Sequence, residues 1–318
     1  MRGYVAKRLL IALVTLVGMS MVIFVLMRLA PGNIVDIIFE SAGYVDQADK
    51  KQLEHELGVD RPIPVQYARW MGELVSGDLG KSYRYDMRAW VIIKPRLPVT
   101  IELAVLALFF SILLGVPAGV VSAARQNKPI DYLLRVLSLA GLSMPSFWLA
   151  MIVILLFVRA VGWIPSITYV SPFVDLKANL WQFMVPALAV GYRSSALIMR
   201  ITRSAMLEVM REDYIRTAQA KGQRPTSVVW RHALKNAGLP VITLIGIEFA
   251  FLIGGLVVTE TVFNLPGVAR YLVEAIQFRD YPVVQNLTMF IAVVVVLANL
   301  TVDLLYAWVD PRIKYGNA

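Results

Sequence analysis

Long apolar stretches alternate with short charged ones along this chain. Leu9–Met27, Leu103–Ala124, Val136–Val158 and Tyr281–Val302 hold no charged residue. Trp181–Met199 is apolar except for Arg193, and Leu239–Thr259 except for Glu248. A helix rises about 1.5 Å per residue, so about 20 such residues cross the hydrocarbon core. The pattern predicts an all-α membrane protein with about six transmembrane helices. Residues 1–30 form a tail and the first helix, 31–98 a long outer loop, and 99–318 a core domain with a second long loop at 200–238.

Charge fixes the expected orientation. Arg2, Lys7 and Arg8 precede the first run, Arg125 and Lys128 follow the second, and Arg312 and Lys314 come near the end. The 200–238 loop adds Arg200, Arg203, Arg211, Arg216, Lys221, Arg224, Arg231 and Lys235 against Glu208, Glu212 and Asp213. Six spans put all four basic regions on one side, which the Lys/Arg excess marks as cytoplasmic, with both termini there.

Composition agrees: 58% of the 318 residues are hydrophobic and 17% charged. The net charge of +9 lies mainly between apolar runs, so it reads as membrane topology rather than nucleic-acid binding. The absence of cysteine excludes disulfides, thiolate metal sites and a cysteine nucleophile. His55 and His232 are too few and too far apart for a histidine metal site. The first apolar run is longer than a signal-peptide core and lacks a small-residue cleavage site, so it reads as a retained helix.

The outer loop offers a helical pattern over Asp46–Leu57, with Leu53 and Leu57 on one face and Gly58 suited to its end. It reads equally as an external cap or a docking surface for a solute-delivery protein. Gly77-Asp78-Leu79-Gly80-Lys81-Ser82 ends like a phosphate-binding loop, but Val75 occupies the first glycine position and no strand-like run feeds it. We read it as a chance match. No paired carboxylates or Ser/His/Asp set stands out, so the chain is not expected to be an enzyme, and energy must come from another subunit or a gradient.

The 200–238 loop reads as helix, turn, helix. Met210, Tyr214 and Ala218 are spaced by four, Gly222 fits a left-handed helix end, and Pro225 fits the first turn of a second helix ending near Asn236. Short helices with mixed basic and apolar faces suit docking into a partner's groove. A solvated basic loop or a helix lying on anionic lipid fits the same pattern. Within the spans, Arg193, Glu248 and Asp303 are costly ionisable groups, candidates for the transport path or for structural interhelical contacts. Glu248 as an ion-coupling site would fit a secondary transporter. Pro145 interrupts the third run and is expected to kink it.

Several stretches together resemble a known family. They include Glu212-Asp213-Tyr214-Ile215-Arg216-Thr217-Ala218, Ala220-Lys221-Gly222 and Arg231-His232-Ala233-Leu234-Lys235-Asn236-Ala237 with Pro240. Pro31-Gly32, Glu56-Leu57-Gly58-Val59-Asp60-Arg61-Pro62, Arg96-Leu97-Pro98-Val99-Thr100-Ile101-Glu102-Leu103, Arg279-Asp280-Tyr281-Pro282 and Asp310-Pro311-Arg312-Ile313 follow the same order. The chain resembles the permease subunits of ABC importers for dipeptides and oligopeptides, of the first-permease type, over nearly its whole length. The general E-A-A-x-x-x-G motif of that superfamily is degenerate here: Arg216-Thr217-Ala218 stands for Glu-Ala-Ala, while Gly222 is present.

The resemblance implies a bacterial inner-membrane complex. Its partners would be a second homologous permease, two ATPase subunits using ATP and Mg, and an external solute-binding protein; this chain would bind no cofactor itself. Tyr214, Arg216, Thr217, Ala218, Lys221, Gly222, Arg231, His232 and Asn236 would belong to the ATPase-coupling loop. Relatives with similar sequences import peptides, nickel, glutathione, opines or oligosaccharides.

Overall fold

The computed structural model describes residues 2–29, 51, 54, 55 and 60–309. The Pro31-Gly32 pair, the closing 310–313 stretch and, apart from three isolated positions, the Asp46–Leu57 helix lie outside the described residues.

The described chain is mostly helical. In order come α1 (Arg2–Leu29), α2 (Ile63–Val75), a hairpin of β1 (Lys81–Ser82) and β2 (Met87–Arg88), and α3 (Ala89–Ile93). Then follow α4 (Leu97–Ala124), α5 (Pro129–Ser143), α6 (Ser146–Val161), α7 (Leu176–Val209) and α8 (Asp213–Ala220). A turn at Pro225–Ser227 and a π-helical segment, Val228–Ala233, lead into α9 (Leu234–Gly255). The last elements are α10 (Val257–Val262), α11 (Val268–Gln277) and α12 (Tyr281–Val309).

Four helical runs among the described residues are long and apolar enough to cross a membrane: Val5–Leu29, Ala89–Ala124, Pro225–Gly255 and Tyr281–Leu304. The third apolar run differs from expectation. In place of one kinked helix it forms two, α5 and α6, bent by 112° at the break between them. Pro145 sits at the N-cap of α6, where its missing N–H is harmless. Trp181–Met199 is helical as expected but lies inside the 34-residue α7, which also carries Arg193, Arg200 and Arg203.

The chain divides into two units. One contains 2–98 and 267–297, the other 99–266 and 298 onward. In the first, Phe24, Tyr67 and Trp70 form an aromatic cluster, with Phe24 stacked on Trp70 at 5.8 Å. Trp70 Nε1 donates to Asn286 Oδ1 at 2.6 Å, and Asn286 Nδ2 donates to the Leu79 carbonyl at 3.0 Å. Ser82 Oγ donates to Asp280 Oδ2 at 2.5 Å. The glycine-rich stretch before the hairpin is thus a turn: Asp78 Oδ1 accepts from the Gly80 N–H at 2.9 Å, and Lys81-Ser82 pairs with Met87-Arg88. Burial pushes the Tyr83 hydroxyl pKa up, and the nearby Asp280 and Glu73 charges push the same way.

The second unit is organised around the seam between α4 and α7. A Cβ at Gly119 would lie 2.6 Å from Thr202 Cβ and 2.7 Å from the Met199 carbonyl oxygen. At Gly115 it would lie 2.7 Å from the Ser195 carbonyl oxygen. This Gly115–Gly119 pair, one turn apart, lets two backbones approach as small-residue motifs do in bilayers. Toward one end of the unit, Val99, Leu103, Ala104 and Ala107 pack with Phe183, Ala187, Trp163 and Phe263.

Candidate functional site

Two neighbouring features of the second unit carry the polar chemistry: a buried ion pair at the α4–α5–α7 junction and the exposed segment around α8.

Asp131 lies in the first turn of α5 and is fully buried. Arg203 holds it with two bonds, Nε to Oδ1 at 2.9 Å and Nη2 to Oδ2 at 2.9 Å. Ser122 Oγ of α4 donates to Oδ1 at 2.5 Å, and the Asn127 N–H donates to Oδ2 at 3.0 Å. A buried charge is tolerated when paired and fully hydrogen-bonded, as here. The clamp ties the ends of three helices together. Sequence reading missed it: Arg203 looked like one more loop charge, and Asp131 passed unnoticed among basic flanks. The available signal was a lone acid two residues after Pro129 at a helix start.

Beyond the clamp, α7 stops at Val209 and the chain turns through residues 210–212 into α8. Met210 lies in that turn rather than on the helix, contrary to the spacing argument. Ile215 is the buried residue of α8, at 1% exposure, packed in a cluster with Val120, Ala123, Ala205, Met206, Val228 and Ala233. Ala218 joins this cluster partly buried. Tyr214, Arg216, Thr217 and Lys221 are all exposed.

Gly222 ends the helix as expected. Its φ is +76°, a region that side chains rarely adopt. The Gly222 N–H donates to Gln219 O at 2.9 Å, and the Gln223 N–H donates to Ala218 O at 3.3 Å. That pair of bonds is a Schellman motif, which satisfies the last carbonyls of α8. Pro225 starts the next helical turn as predicted.

The second loop helix does not stop near Asn236. Pro225–Gly255 runs on as one helical stretch, with Pro240 accommodated inside it. The π-helical stretch lies upstream of that proline and contains Arg231 and His232. His232 Nε2 donates to Gln223 Oε1 at 2.8 Å, closing the loop, and Asn236 Nδ2 donates to the His232 carbonyl at 2.9 Å. Arg231 and Asn236 are exposed.

The intramembrane candidates do not converge. Arg193 borders a cavity of about 50 Å³ with Ser146, Ser194, Phe251 and Thr259, next in sequence to Pro145. Glu248 is partly exposed on α9, away from that lining, and forms no ion pair with Arg193. Asp303 lies partly exposed on α12. Among the described residues no cluster suits a metal ion.

Apolar helices long enough to cross a membrane, joined by a short exposed helix on a buried scaffold, define the class: an integral membrane protein of helical type. Comparison with known proteins then gives the family. Residues 115–315 match the family model "Binding-protein-dependent transport system inner membrane component", and residues 1–104 match the N-terminal model of the same kind of component. The chain belongs to this permease family.

It is 42% identical to the dipeptide transport system permease protein DppB of Alkalihalophilus pseudofirmus, over 99% of this chain and all of that one. It is 37% identical to the oligopeptide transport system permease protein AppB of Bacillus subtilis, over 99% and 100%. It is also 37% identical to the di/tripeptide transport system permease protein DppB of Pseudomonas aeruginosa, over 99% of each. Among solved structures, an inward-facing MetNI methionine ABC transporter chain superposes with a TM-score of 0.57 at 18% identity, covering 69% of this chain and 96% of that one. That likeness supports the fold alone.

Proposed function

We propose that this chain forms half of the translocation path of an ATP-driven importer for dipeptides or oligopeptides. It carries six spans, made up of the four apolar runs, the bent α5–α6 pair and α7. Both termini and the 200–238 loop are cytoplasmic. Segment 213–222 seats in the cleft of an ATPase subunit, and the continuous helix from Pro225 to Gly255 carries the motion into the membrane. Partners are a second homologous permease, two ATPases that use ATP and Mg, and an external solute-binding protein.

The observation that carries this reading is the exposed face of α8, anchored by one buried side chain and closed by a left-handed glycine, in a chain whose near-full-length relatives are named peptide permeases. ATP would close the ATPase pair and bias a two-state transporter toward its outward-open form.

The test is affinity purification of the tagged chain from native membranes, followed by peptide uptake in vesicles. Co-purification of ATPase subunits and a second permease, with uptake that needs ATP, is expected. A chain that purifies alone and moves solute on an ion gradient would overturn the proposal.

A further inference from the structure

Helices α5 and α7 enclose a groove beside the buried clamp. It has a volume of about 260 Å³ and is lined by Arg135, Ser138 and Leu139 of α5 with Met199, Arg200 and Arg203 of α7 among others. Three arginines face one small cavity. Arg203 is engaged by Asp131, which leaves two positive charges without an internal counter-charge. Among the described residues neither Arg135 nor Arg200 forms an ion pair. Arg135 lies over the Tyr132 ring at 5.7 Å from its centre.

The groove is built rather than incidental. Ser138 Oγ donates to the Ala196 carbonyl at 2.9 Å, and Tyr192 OH donates to the Leu137 carbonyl at 2.7 Å, so the two walls are fixed to each other. Around Arg135 the outer side of α5 is apolar and open: Leu133, Val136 and Leu139 are 53%, 62% and 54% exposed. Basic charge at the rim of an apolar helix face matches a phospholipid, with an anionic headgroup at the arginines and acyl chains along the helix. The charge asymmetry of the sequence puts this end of α5 and α7 at the cytoplasmic surface, where anionic lipid is available.

We infer that the Arg135–Arg200–Arg203 groove binds the headgroup phosphate of an anionic phospholipid. The site lies outside the coupling segment and does not depend on which solute the complex carries. A bound lipid would bridge α5 and α7 just where the clamp joins them.

The experiment uses the assembled complex in nanodiscs of phosphatidylcholine with a minor fraction of phosphatidylglycerol. After mild detergent extraction, native mass spectrometry counts the phosphatidylglycerol retained. Each arginine near an anionic surface contributes about five-fold in affinity, so R135Q/R200Q should retain roughly 25-fold less than the natural chain. R135K/R200K should keep most of the lipid, because a headgroup at the surface reads charge. If the double glutamine variant fails to assemble, R135Q alone should show about a five-fold loss. Equal retention by the natural and glutamine chains would overturn the inference. So would loss of the lipid to millimolar inorganic phosphate, which would make this a free-anion site. Loss of a protein subunit from the glutamine variant with lipid unchanged would make the groove a protein interface, with the same consequence.

Discussion

The α4–α7 seam and the α8 segment are neighbours built on opposite plans. The seam is closed: glycines bring backbones into contact, and the buried Asp131 carboxylate beside it has both oxygens occupied. The α8 segment is open: one isoleucine anchors it, a glycine ends it, and its aromatic and charged side chains face outward. The proposed docking surface leaves most of its side chains exposed. The closed seam leaves no room to yield. Substitutions in the seam should therefore cost stability, and those in the segment should cost coupling.

The largest effect is expected at the clamp. Asp131→Ala leaves Arg203 buried without its counter-charge, a loss of about 3–5 kcal/mol for a fully enclosed pair. Arg203 keeps 20% side-chain exposure, so the lower end applies. Thermal unfolding of the purified complex should show a clear fall in Tm; an unchanged Tm would show that the clamp is not structural.

Next is Ile215→Ala, about 2–5 kcal/mol from a buried position. Because α8 is a short exposed helix, that loss should appear as local opening. Hydrogen exchange at 213–220 should accelerate while the seam stays protected, and exchange rising equally everywhere would erase the distinction between the two regions. Gly119→Ala returns to the seam: the added methyl meets the Met199 carbonyl, an overpacking cost of about 1–3 kcal/mol. Its mark is a lower Tm with the ratio of peptide uptake to ATP hydrolysis retained.

The smallest stability effect belongs to Gly222→Val. Nothing lies within 4 Å of the added Cβ, so the cost is backbone strain of about 1–2 kcal/mol at a φ of +76°. Even so, it should weaken ATPase association or uncouple hydrolysis from uptake, read as the same uptake-to-hydrolysis ratio. Normal peptide uptake would remove the segment's claim to a coupling role.

Much of this was legible in the sequence. The apolar runs announced the helices, because lipid demands about 20 apolar residues in a row. Gly222 and Pro225 announced the turn, because each has a strict backbone preference. What stayed hidden depended on tertiary pairing. Asp131 and Arg203 are 72 residues apart, and no local pattern links them. Pro145 was seen, but proline alone does not tell a kink from a bend of 112°. Pro240 suggested a boundary that the helix ignores, since the residues around it continue the helical pattern on both sides. The spacing of four through Met210, Tyr214 and Ala218 did not single out Ile215, the buried side chain of α8, although Met210 and Ala218 pack partly buried against the same cluster.

The proposed role of segment 213–222 is to dock an ATPase subunit. The most direct measurement places a photo-crosslinking amino acid at Tyr214, which is 42% exposed, and another at fully buried Met206, in native membranes. An adduct between this chain and an ATP-binding subunit is expected from position 214 and none from position 206. Adducts from position 214 to lipid only, or none, would contradict it.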